Sequence, residues 1–148
     1  MLATALPTVT LKPPAGFVHD QRSQGWELLE EGPKVEGEPI LDFLGFLREG
    51  ETYINGETVL ARALEMEGTE SGQHHLERLL AQAASIPAEL RSFYLVATGT
   101  KWRYPDGYVC VPYLRFVGGQ WVLLFYGVGN DRWSVGDRVV RVCKQPGS

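Results

Sequence analysis

The side chains best suited to chemistry in this chain are few. His74, His75 and Glu77 lie close together, and on a helix the i, i+3 spacing lets His74 and Glu77 share a metal ion from one side. A third ligand would have to come from His19, far upstream, and the commoner arrangement is a solvated His74 beside a partly buried His75. No cofactor is expected. A second set is Lys101, Arg103 and Arg115 with Tyr113 and Tyr126. Cations interleaved with aromatics on one sheet face are how some single-strand nucleic-acid platforms are built. Three cations supply few phosphate contacts, and cations beside an apolar sheet are more often its solvated rim. Asp106, Asp131 and Asp137 sit in turn sequences, where aspartate satisfies backbone N–H groups. The Gly-x-Ser-x-Gly nucleophile elbow, the phosphate-binding Gly-Lys loop and the His-Glu-x-x-His zinc pattern do not occur.

Those side chains need elements to hold them, and hydropathy periods supply these. Residues 1–37 carry four of the nine prolines and read as an extended, partly ordered arm with one strand near Thr8–Lys12. Within it Phe17, Val18, Trp26, Leu28 and Leu29 are the residues able to pin the arm to the body. Residues 38–148 read as a single α+β domain, with a helical half over 38–92 and a sheet half over 93–144. Pro39 followed by Ile40, Leu41, Phe43, Leu44 and Leu47, then Gly50, predicts a first helix. Asn55-Gly56 opens a second, with Val59, Leu60, Ala63, Leu64 and Met66 on one side. Leu76, Leu79, Leu80, Ala83 and Ala84 predict a third, capped by Thr69 or Ser71. Pro87 starts one more helical turn.

From Phe93 the period changes to two. Tyr104-Pro105-Asp106-Gly107-Tyr108 suits a type I turn with a glycine bulge and Gly118-Gly119 a two-residue hairpin. The expected architecture is α+β, with N-terminal helices packed on one face of a C-terminal antiparallel meander of three to five strands. In the register those turns set, Trp102 faces Cys110, Leu114 faces Leu123 and Phe116 faces Trp121 on one side. The other side carries Lys101, Arg103, Val109, Val111, Tyr113, Arg115, Val122, Leu124 and Tyr126. That second side is too apolar for an open antiparallel sheet, so it is covered from within or it binds something.

Composition narrows the classes. The chain's 148 residues fit one domain with a conventional core. Net charge is −4, with −8 on residues 1–92 and +4 on 93–148, a division that suits an acidic helical layer beside a basic sheet better than a nucleic-acid footprint. Neither a secretory leader nor an apolar membrane span is apparent, and Cys110 and Cys143 read as reduced thiols, so the expected location is the cytoplasm. The run Ile86-Pro87-Ala88-Glu89, Phe93-Tyr94-Leu95-Val96, Gly99-Thr100-Lys101-Trp102-Arg103, Asp106-Gly107-Tyr108 and Val111-Pro112-Tyr113-Leu114 resembles bacterial proteins of mobile elements and integron gene cassettes. The resemblance implies a bacterial accessory role and carries no activity. The leading functional expectation is a non-enzymatic binding module, homodimeric through the sheet, using Lys101, Arg103, Tyr113, Arg115, Val122, Leu124 and Tyr126. The alternatives are a nucleic-acid binder on the same face, or a small enzyme or metal protein built on His74 and Glu77. Partners would be a second copy of the chain, a small molecule or another protein, and no membrane.

Overall fold

A computed structural model of the chain describes residues 6–10, 18–129 and 132–143. Its centre is one curled, mixed sheet rather than a layer of helices on a meander. Among the described residues nine strands contribute: β1 (Val9–Thr10), β2 (Glu27–Glu30), β3 (Ile40–Leu44), β4 (Thr69–Glu70), β5 (Tyr94–Val96), β6 (Lys101–Arg103), β7 (Val109–Val117), β8 (Gln120–Gly127) and β9 (Asp137–Val142). Two short α-helices, α1 (Gly56–Glu65) and α2 (Gln73–Ala81), lie between β3 and β5. Short 3-10 turns follow at Ala83–Ser85 and Ala88–Ser92. Among the described residues no helix is long and apolar enough to cross a membrane.

This overturns the expected architecture at two points. First, the stretch expected as a leading helix is β3. Pro39 and Gly45 leave only five residues between them, too short for a helix whose stability comes from length and packing. The stripe Ile40, Leu41, Phe43, Leu44 and Leu47 is instead divided between two faces. Leu41 and Phe43 enter one core cluster, whereas Leu47 packs against the other. Backbone pairing of Leu41–Leu44 with Val142–Val139 fixes the strand. Second, β5 runs parallel to β9, so β9 stands between β5 and β3 and the sheet is not a simple meander. The arm also joins in, since β2 pairs with β6 and β1 with β3.

The hairpins form where the turn residues place them. Gly118 and Gly119 have φ of 63° and 80°, the left-handed pair that a tight two-residue turn requires, and β7 pairs with β8 without a bulge from Val117↔Gln120 to Cys110↔Gly127. Tyr104 and Tyr108 bracket the other turn, with the Tyr104 N–H donating to the Tyr108 carbonyl at 2.8 Å. Pro112 is tolerated in the middle of β7 because the neighbouring strand breaks there, between β5 and β6.

Each face of the sheet is covered over its centre. One side packs Leu95, Leu114, Trp121, Leu123, Leu41, Phe43 and Val140 against Leu76 and Leu79 of α2 and Leu90 of the last 3-10 turn. The opposite side packs Val96, Val111, Tyr113, Val139 and Trp133 against Val59 and Ala63 of α1, with Phe46 at the margin. Cys110 and Cys143 are free thiols. Of the residues expected to pin the arm, Trp26 does so, edge-on to Tyr104 at 4.7 Å and Phe125 at 5.0 Å. Val18 is exposed, while Phe17, Lys12 and Asp131 lie outside the described residues.

Candidate functional site

The second sheet face was expected to present one continuous surface of cations and aromatics, and the structure divides it into three parts. Lys101 and Arg103 stand on β6, whose outer neighbour is the acidic strand β2. Cross-strand pairing sets Glu30 beside Lys101 and Glu27 beside Arg103, and the ammonium and guanidinium groups donate to those carboxylates at 3.1 and 3.0 Å. Exposed pairs of this kind contribute only ~0.2–1 kcal/mol, but they neutralise two of the three cations a nucleic-acid platform would have used.

The middle of the face is enclosed. Tyr126 stacks on Trp133 at 4.2 Å with 8° between the rings. Tyr113 lies 5.4 Å from Tyr126 and 5.0 Å from Tyr94. Burial raises the Tyr126 hydroxyl to about 12 and pushes the Tyr113 hydroxyl up as well, so both phenols stay neutral. Asp137 is buried beneath this group, accepts the Ser134 N–H at 2.9 Å and has its carboxyl raised by desolvation. It closes the turn before β9.

The far end of the face is open. Arg115 lies over the Tyr94 ring at 5.1 Å, and its Nε is buried with no hydrogen-bond partner among the described residues. Beside it Val122 is half-buried, Leu124 is 39% exposed and Val117 is 43% exposed. Of the seven residues expected to share one binding surface, the structure therefore groups Arg115, Val122 and Leu124, encloses Tyr113 and much of Tyr126, and pairs Lys101 and Arg103 elsewhere.

The histidine cluster on α2 has a different occupation. Its Glu77 is buried, and the carboxylate accepts the Val18 and His19 N–H groups at 2.6 and 2.5 Å and the Gln73 Nε2 at 3.1 Å. His74 meets Glu31 at 2.8 Å instead. The two candidate ligands thus hold two separate segments of the arm, and among the described residues no three His, Cys, Asp or Glu groups converge as a metal site would require. His75 is buried. Its Nδ1 accepts the Gly72 N–H at 3.1 Å, and burial, with the charges of His74 and Arg78, pushes its pKa down to about 4.

Several members of this buried seam carry no sequence signature. Gln73 donates to the His19 carbonyl at 2.6 Å and accepts from the Trp102 indole at 2.7 Å, and the Thr100 hydroxyl bridges the Gln73 N–H to the Glu31 carbonyl. The i, i+4 spacing of Gln73 and Glu77 was the one available signal. A second unheralded group is the row Asp42, Arg141 and Glu70 across β3, β9 and β4. Buried Arg141 donates to the Met66 and Gly68 carbonyls at 2.9 and 3.1 Å, holding the C-terminal end of α1 to the sheet. Beside that end lies a cleft of about 440 Å³ bordered by Met66–Thr69. Desolvation raises both the Asp42 carboxyl and the Cys143 thiol.

Comparison of the chain with family models, curated proteins and solved structures finds no match.

Proposed function

We propose that this chain is a non-enzymatic interaction module that associates with a second copy of itself through the open end of the second sheet face. The observation that carries the reading is the strip of Arg115, Val122, Leu124 and Val117. It sets exposed aliphatic groups beside the half-buried Arg115 guanidinium, and arginine set against apolar groups is a pairing enriched where binding energy concentrates. Lys101 and Arg103 leave the proposed surface because β2 neutralises them. The buried seam on α2 acts as a clamp for the arm, since each of its acceptors is occupied by backbone or side-chain donors. Free Cys110 and Cys143 support a reducing compartment, the cytoplasm. A bacterial accessory role follows the resemblance to cassette proteins.

Size-exclusion chromatography with light scattering at high micromolar concentration tests the reading. The expected mass is that of a dimer, and Leu124→Asp, which puts a charge into the strip without touching the core, is expected to return it to monomer. A monomeric unmodified chain would refute the proposal.

A further inference from the structure

Among the described residues β8 pairs with β7 alone. The two-residue turn at Gly118-Gly119 closes on Val117 and Gln120, so alternate pairs from there exchange backbone hydrogen bonds: Val117 with Gln120, Arg115 with Val122, Tyr113 with Leu124, Val111 with Tyr126. Trp121, Leu123 and Phe125 therefore turn their N–H and C=O groups away from β7. Pro112, opposite Phe125, fits this alternation, because its carbonyl points to the other edge and accepts the Ala97 N–H at 3.1 Å.

Edge strands are ordinarily guarded by charge, proline, a bulge or brevity. β8 has none of these guards. The segment Gln120–Gly127 contains no charged residue and no proline, spans eight residues and is paired without a register shift.

We propose that two copies of the chain join along β8, antiparallel about a two-fold axis at Leu123, to form one continuous sheet. The inference rests on the reading of the chain as a self-associating module and specifies how the two copies meet. An antiparallel strand is its own complement about such an axis. Leu123 then faces its own mate and Trp121 faces Phe125 of the second copy, and these pairs exchange about six backbone hydrogen bonds. On the open face Leu124 meets Val122 of the second copy, and Val122 meets Leu124, with Cβ atoms roughly 4.5–5.5 Å apart. The axis thus covers Val122 and Leu124 of each copy, while Val117, one strand further in on β7, stays outside the contact.

Self-complementarity of the edge selects this occupant, and the local absence of charge on β8 permits it. Each copy carries −4, so two copies repel through most of their surface, and the uncharged β8 edge lets them approach without that penalty. The two Arg115 groups would lie more than roughly 14 Å apart, three strand spacings, beyond the screening length of about 8 Å at physiological salt.

Hydrogen exchange on the unmodified protein reads the geometry directly. In the dimer the amides of Trp121, Leu123 and Phe125 are expected to exchange at least tenfold more slowly than on dilution to monomer. In parallel, Val122→Cys/Leu124→Cys, oxidised at micromolar concentration, should give a covalent dimer whose peptide map links position 122 of one copy to 124 of the other. A dimer in which those three amides keep their unpaired exchange rate, with no 122–124 link, overturns the edge geometry and leaves self-association standing. A monomer at high concentration with the same fast exchange overturns both.

Discussion

At the scale of single residues, His75 shows how burial becomes a pH dependence. Its folded-state pKa, near 4, lies below the 6.5 of the unfolded chain, so as pH falls the unfolded state takes up the proton first. Stability from this group is complete above pH 6.5 and drains away between 6.5 and about 4, by about 3 kcal/mol at most. Urea midpoints at pH 7 and pH 4.5 should differ accordingly, and His75→Gln should flatten that difference. Glu77 is the other residue with large leverage. Glu77→Ala leaves the Val18 and His19 N–H groups and one Gln73 amide donor without their acceptor, and a loss of about 2–3 kcal/mol in denaturant unfolding is expected. The burial of His75 is legible from its place at the margin of the leucine stripe, whereas the role of Glu77 is not, because His74 and Glu77 look like a ligand pair when only their spacing is known. Their acceptors and donors come from residues 18–31, and no local pattern joins that stretch to α2.

At the scale of elements, short-range chemistry was readable and long-range pairing was not. The Gly118-Gly119 hairpin, its register and the division of side chains between two faces follow from turn residues and period two, and β7 and β8 adopt them. The α1 start was readable too, since Asn55 caps it by accepting the Thr58 N–H at 2.8 Å. The failure at Ile40–Leu44 came from a five-residue segment with four apolar residues that satisfies either period, decided only by β9 about a hundred residues later. Which elements cover the second face is illegible for the same reason, as α1 and Trp133 reach it only through tertiary packing. Gly56 marks that packing. A Cβ there would stand 2.1 Å from the Val128 carbonyl oxygen, a backbone atom that cannot swing aside. Gly56→Ala should therefore destabilise the protein by about 1–3 kcal/mol, measured as a shift in urea midpoint, although alanine is the better helix former by about 1 kcal/mol.

At the scale of the whole molecule, the two core clusters lie on opposite faces of the same strands, β5, β7 and β9. Neither can melt and leave the other a surface to pack on. Far-UV circular dichroism and tryptophan fluorescence are expected to report one coincident transition, with Trp121→Phe and Trp133→Phe each shifting it as a unit, whereas separated midpoints would mean that the faces unfold independently. The position of β9 carries one more consequence, for biosynthesis. That strand is flanked by β3 on one edge and by β5 and β4 on the other, yet among the described strands it comes last in chain order. The strands before it keep two vacant sheet edges until residues 137–142 have left the ribosome, so a stop codon in that interval would release a species prone to aggregate rather than a smaller folded protein.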